Sequence, residues 1–251
     1  MGPWQAGRHR AAAEALQQIQ VIRGAAALQY GTQFGGLVNF VMHTPSKKSL
    51  ELKLRNSVGS YGLINNFLSL GGTNGKLSYY GYFQYKQGNG FRNNSEYAAR
   101  NGYATIQYKF NDKTRIKVDY TKLDYLAKQA GGLTDTQFAT GPDYSNRERN
   151  WFDVDWNLVA ARLDHEFNKN TRASIQLSYL DASRKSVGFR GDPSKLNQNP
   201  ITALDEQEVD GSYILPRDII NGTFNNVALE SKLLHTQNLL SKSVTTLIGN
   251  K

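Results

Sequence analysis

The sequence predicts an all-β chain, an antiparallel β-barrel of the transmembrane type, present as an incomplete curved sheet of about nine strands. Three observations carry that expectation. The composition is rich in Gly (23), Asn (22) and Tyr (14) but holds only 6 Pro and 2 Met among 251 residues. Gly and Asn serve tight turns, whereas Tyr favours strands and membrane interfaces. From Ser49 onward, apolar and polar residues alternate with a period of two. The connections between the alternating runs also take turns in length, short then long.

The runs follow in order along the chain. Leu50, Leu52 and Leu54 alternate with Glu51, Lys53 and Arg55, and a weaker run follows over Leu63–Leu70. Leu77, Tyr79, Phe83 and Tyr85 alternate with Ser78, Tyr80, Tyr82 and Gln84. Ala104–Phe110, Ile116–Tyr120, Val159–Phe167 and Ala173–Tyr179 repeat the pattern, with weaker runs near Asn226–Leu234 and Val244–Ile248. Such alternation sets one face against apolar material and the other against water. It does not say whether the apolar face points inward, as in a soluble barrel, or out to lipid.

The connections bear on that choice. Asn74-Gly75 is a hairpin signal, because both residues tolerate positive φ. Phe110–Arg115 and Phe167–Arg172 share the pattern F-N-x-x-T-R and read as tight turns on the same rim. Between the short turns lie longer polar stretches at Gln87–Asn101, Asp124–Asn157 and Asp181–Asn225. Short turns on one rim and long loops on the other match a bacterial outer-membrane barrel. Phe110, Tyr120, Phe167 and Tyr179 are expected at strand ends, as interface aromatics or as cross-strand packing.

Charge and composition exclude other classes. No apolar run nears the ~18 residues of a membrane-spanning helix. The absence of cysteine removes disulfide scaffolds and Cys-based zinc or redox sites. The net charge of +9 is scattered rather than gathered in a patch, which argues against nucleic acid as a partner. Catalysis has no support. His9, His43, His165 and His235 are isolated, no G-x-S-x-G elbow occurs, and Asp153-Val154-Asp155 and Asp205–Asp210 lack the ligand spacing of a calcium loop. No catalytic residue, metal site or cofactor is expected. At the front, Met1–Gln18 is unassigned, with a short helix expected around Arg10–Gln18. Glu14 interrupts the alanine run there, so the chain as written is expected to carry no signal peptide.

Ile19–Pro45 breaks the alternation with a glycine-rich apolar stretch, IQVIRGAAALQYGTQFGGLVNFVMHTP. It contains neither G-x-G-x-x-G nor G-x-x-x-x-G-K-[ST], so a phosphate-cradling loop is not indicated. The stretch resembles the end of the plug domain of TonB-dependent outer-membrane receptors, whose signature runs I-x-V-I-R-G-x-x-x-x-x-Y-G-x-x-x-x-G-G-x-x-N. The matching positions are Ile19, Val21, Ile22, Arg23, Gly24, Tyr30, Gly31, Gly35, Gly36 and Asn39, the last three with one residue fewer after Gly31 than the signature has. Ala25 stands where many members carry proline. Gly59–Gly62 is similar to the turn between that family's first two barrel strands, and Gly90–Ser95 to its next outer loop. The stretch through Gln33 resembles the ferric-citrate branch.

The resemblance implies a division into an unassigned segment 1–18, the end of a plug over 19–48, and the first part of a barrel over 49–251. The family closes about 22 strands around its plug, so about nine strands imply an internal fragment. The implied function is TonB-dependent active uptake of a ferric chelate, citrate or siderophore, across the outer membrane. The partners implied are TonB, the chelate and outer-membrane lipid; the chelate is cargo, with no cofactor. A passive porin-like barrel and a small soluble β-barrel binding module are the rival readings. Arg23 resembles the plug arginines that lock plug to wall, its other reading being a solvated strand-end arginine. Gly24, Gly31, Gly35 and Gly36 suit backbone geometry. Gln29 and Gln33 are ligand candidates at the plug apex. Arg92, Arg100, Arg147, Arg149, Arg184 and Arg190 would attract an anionic chelate, or else are solvated or meet lipopolysaccharide.

Overall fold

A computed structural model describes residues 12–23, 36–192, 194–195, 198, 203–240 and 242–250. A two-stranded sheet comes first, with β1 (Leu16–Ile22) antiparallel to β2 (Leu37–Met42) and paired from Leu16↔Met42 to Ile22↔Leu37. A nine-stranded sheet follows as a simple meander. Its strands are β3 (Glu51–Gly59), β4 (Leu63–Asn74), β5 (Leu77–Gly88), β6 (Tyr97–Lys109), β7 (Thr114–Lys128), β8 (Trp151–Asn168), β9 (Thr171–Phe189), β10 (Arg217–Leu239) and β11 (Lys242–Asn250). Every neighbour pair is antiparallel and the sheet does not close on itself. The nine strands agree with the count expected after Ser49.

The turns at β4–β5, β6–β7 and β8–β9 lie on one rim, as their shared chemistry requires. Gly75 takes φ +57 in the first of these, a conformation costly for any residue with a Cβ. In the two F-N-x-x-T-R repeats the asparagine side chain accepts from the backbone N–H two residues on, Asn111 from Lys113 and Asn168 from Asn170, each at 2.9 Å. That local bond closes the turn without help from the rest of the fold. The repeated threonine then meets a histidine on the next strand, Thr114 with His165 and Thr171 with His235, again at 2.9 Å. The opposite rim carries the connections 60–62, 89–96, 129–150 and 190–216.

Three expectations change. Of the helix expected around Arg10–Gln18, the described residues 12–18 form none: Ala13–Ala15 make one turn of 3-10 helix and β1 starts at Leu16. The long connections are shorter than 87–101, 124–157 and 181–225, because β7, β8, β9 and β10 run well past the alternating region. β10 has 23 residues, about 75 Å of chain, where a membrane crossing takes about ten residues. For the same reason Tyr120 and Tyr179 lie mid-strand, whereas Phe110 and Phe167 do sit at the turn rim. The β7–β8 connection also holds a short helix, α1 (Asp135–Thr140), whose cap residue Thr134 exchanges hydrogen bonds with Gln137.

The two faces of the large sheet differ in kind. On one face the register lines up Ile106, Val118, Ala161, Leu177 and Leu229 across five strands, and Ala104, Tyr120, Val159, Tyr179 and Val227 one row above. The large apolar members of these rows are exposed. The next row reads Gly102, Lys122, Asn157, Asp181 and Asn225, so the apolar band ends abruptly. The other face carries Phe67, Ser69, Tyr80, Tyr82, Gln84, Tyr103 and Thr105, all buried. An apolar exposed band with a polar and aromatic opposite face is the inverse of a soluble barrel.

Candidate functional site: the plug-like hairpin on the inner wall

Residues 12–15 rest on the buried face, which is therefore the inner one. Ala12 and Ala15 pack in one cluster with Phe67, Tyr80, Tyr82 and Tyr103, and Met42 of β2 joins them. Small side chains let the turn approach the rings closely. Phe67 and Tyr82 stack at 5.6 Å, and Tyr103 donates to Asp119 at 2.6 Å. The Ala12 N–H donates to the Tyr82 hydroxyl at 3.3 Å, and the His43 N–H donates to the Ala15 carbonyl at 2.9 Å. Glu14 reaches the wall through carboxamides: Asn65 Nδ2 donates to its Oε1 at 3.1 Å and Gln84 Nε2 to its Oε2 at 3.3 Å. A cleft of about 420 Å³ opens beside Glu14, lined also by Lys86, Tyr97, Asn101 and Tyr125.

The hairpin depends on its signature residues. Gly36 takes φ +95, and a Cβ there would lie 2.6 Å from the Ile22 carbonyl oxygen. Asn39 donates from Nδ2 to Gln20 Oε1 across the ladder at 2.9 Å. Arg23 is exposed, and among the described residues it makes no ion pair. Among the described residues it is Glu14, not Arg23, whose side chain meets the wall. Gly24, Gln29, Tyr30, Gly31, Gln33 and Gly35 lie outside the described residues.

The loop arginines mostly serve the loops themselves. Arg92 donates to the backbone carbonyls of Gly131 at 2.6 Å and Tyr144 at 2.8 Å, tying the β5–β6 connection to the β7–β8 connection. Arg147 donates to the Ala203 carbonyl at 2.7 Å and lies over the Phe189 ring. Arg149 grips Asp205 at 2.8 and 3.2 Å and covers Tyr213. Arg217, which the sequence reading passed over, shares Asp205 with it. Burial, then the nearby Arg149 and Arg147, pushes the Arg217 guanidinium down to about 10. Two guanidiniums, those of Arg149 and Arg217, thus share one buried carboxylate. Arg100 pairs with Asp124 at 3.7 Å on the same face as the apolar band, and Arg190 approaches Asp218 at 3.9 Å. Arg184 lies over Phe152 on the inner face. The structure therefore does not gather these six arginines into one site. Among the described residues no group of His, Asp or Glu is placed to hold a metal ion.

The architecture is a hairpin seated on one face of a partial, unclosed β-barrel. Comparison with solved structures agrees. The ferric citrate transporter FecA, unliganded, superposes with a TM-score of 0.77 over 95% of this chain at 16% identity. FpvA of Pseudomonas aeruginosa, bound to an iron pyoverdine, gives 0.73 over 99% at 16% identity. The ferric-catecholate import receptor Fiu of E. coli K12 gives 0.66 over 94% at 15% identity. The chain spans 34% of the first two and 39% of the third, about a third of their length. No protein-family model matches the sequence. The fold is thus the one those proteins share over that part of their length.

Proposed function

We propose that this chain is the plug end and first wall strands of a TonB-dependent outer-membrane receptor for a ferric chelate, citrate or siderophore. The observation that carries the reading is the division of the sheet's faces. Lipid accounts for the exposed apolar rows, and a seated plug accounts for the opposite polar and aromatic face. The plug signature at Ile19–Asn39 and the fold shared with ferric-chelate receptors support it. Such a receptor binds its chelate from outside and uses TonB to shift the plug, with no bond made or broken in the cargo.

Growth under iron limitation tests it. A protein carrying this chain, expressed in a strain without its own chelate receptors, should restore growth on ferric citrate or a ferric siderophore only when TonB is present. Growth independent of TonB would favour the porin-like reading. No restoration with any chelate, despite a folded protein in the outer-membrane fraction, would refute the receptor reading.

A further inference from the structure

Glu14 faces a part of the wall whose polar groups satisfy one another. Gln84 Nε2 donates to Asn65 Oδ1 at 2.9 Å as well as to Glu14, and Asn101 Nδ2 donates to Gln84 Oε1 at 3.1 Å. The three carboxamides form a chain across β4, β5 and β6 that persists when Glu14 leaves; one N–H of Asn65 and one of Gln84 lose their acceptor, and both open onto the adjoining cleft. A lock between arginine and carboxylate behaves differently, because parting it strands an uncompensated charge in the wall. The seat is equally easy to vacate. Ala12 and Ala15 have no side chain interdigitated with the rings, while Phe67, Tyr82 and Tyr103 remain packed together without them. The adjoining cleft leaves room beside the carboxylate.

We propose that residues 12–15 form a releasable clasp between the plug-like hairpin and the barrel wall, with Glu14 the positioning residue and a neutral carboxamide row its receiver. The clasp sits at the front of β1 and is bonded to the end of β2 through Ala15 and His43, so its release frees both ends of the hairpin that lie nearest the wall. A displacement entering from the N-terminal side meets this contact before it meets β1. The inference rests on the reading of residues 12–42 as plug and of the large sheet as wall, and it does not depend on the cargo.

Hydrogen–deuterium exchange on the full chain in detergent micelles separates the two. In Glu14→Ala, amides of Leu16–Ile22 should exchange about tenfold faster while those of β4, β5 and β6 keep their rates. In Gln84→Arg, which replaces a neutral receiver with a charged one beside the cleft, the same β1 amides should slow by about tenfold. Unchanged β1 exchange in Glu14→Ala would overturn the clasp, as would equal acceleration throughout β4–β6, which would make Glu14 part of the wall. Unchanged or faster β1 exchange in Gln84→Arg with the wall protected would overturn the neutral receiver. Loss of protection in β4–β6 of the unaltered chain would instead refute the wall reading itself.

Discussion

Replacing Phe67 with alanine removes the largest fully buried side chain of the inner wall, at 0% exposure, stacked on Tyr82 and beneath Ala12 and Ala15. Removing a buried phenylalanine takes away its transfer energy and leaves a cavity, together about 3–5 kcal/mol. Its neighbour Leu68 points to the opposite face and is 42% exposed. Truncating that side chain leaves no cavity, since detergent fills the space, and the loss is about 1–1.5 kcal/mol. The two variants differ by one position, so local backbone propensity is nearly the same for both. Urea unfolding of the chain in detergent, followed by fluorescence of Trp151 and Trp156, reads the difference. With a slope of about 2 kcal/mol per molar, Phe67→Ala should lower the midpoint by roughly 2 M and Leu68→Ala by well under 1 M. A Leu68→Ala loss equal to or larger than that of Phe67→Ala would refute the assignment of inner and outer faces.

Other substitutions test other parts of the structure. Gly36→Ala forces a Cβ into the left-handed region against the Ile22 carbonyl and should weaken the β1–β2 ladder by about 2 kcal/mol, seen as faster amide exchange in Leu37–Met42 with the large sheet unaffected. Asp205→Asn leaves the buried Arg217 and the partly buried Arg149 without their carboxylate and should cost about 3 kcal/mol locally, read as faster proteolysis within residues 203–216. Lys122→Ala breaks a contact with Asp155 whose partners are both about a third or more exposed. Its effect on the urea midpoint should correspond to less than about 1 kcal/mol.

What could be read in the sequence follows from where two environments meet across a strand. Between the turn rim and the row of Tyr120 and Tyr179, one face is the exposed apolar band and the other is polar and aromatic, so alternation is strong and these strands stand out. Beyond that row the face of the apolar band turns polar, as Lys122, Asp124, Asp155 and Asp181 show, while the opposite face carries the buried cluster of Ala99, Tyr125, Ala127, Phe152 and Val154, so the apolar side of the strand changes over although the ladder continues. Strands there read as loops for that reason. The turns were legible because their bonds are local, Asn111 to Lys113 and Asn168 to Asn170. Helix α1 had a signal in Thr134 and Gln137 that the strand pattern overshadowed. The hairpin's glycine could be placed by its motif, but Glu14 could not: nothing in an alanine-rich start marks one carboxylate as meeting Asn65 and Gln84, 51 and 70 residues away. The contacts of the loop arginines were hidden for the same reason. Their partners, Asp205 and the backbone carbonyls of Gly131, Tyr144 and Ala203, are remote in sequence.

The outward position of the apolar rows is the claim on which the receptor reading rests, and the chain's lack of cysteine makes it directly measurable. Single cysteines at Leu163, Leu177, Arg162 and Gln176 can each carry a nitroxide in lipid-reconstituted protein. Collision rates with oxygen, which concentrates in lipid, and with a water-soluble nickel chelate then report each site's surroundings. Leu163 and Leu177 should be oxygen-accessible and shielded from nickel, with the reverse at Arg162 and Gln176. Nickel access at Leu163 and Leu177, with Arg162 and Gln176 facing lipid or equally wet, would contradict the account.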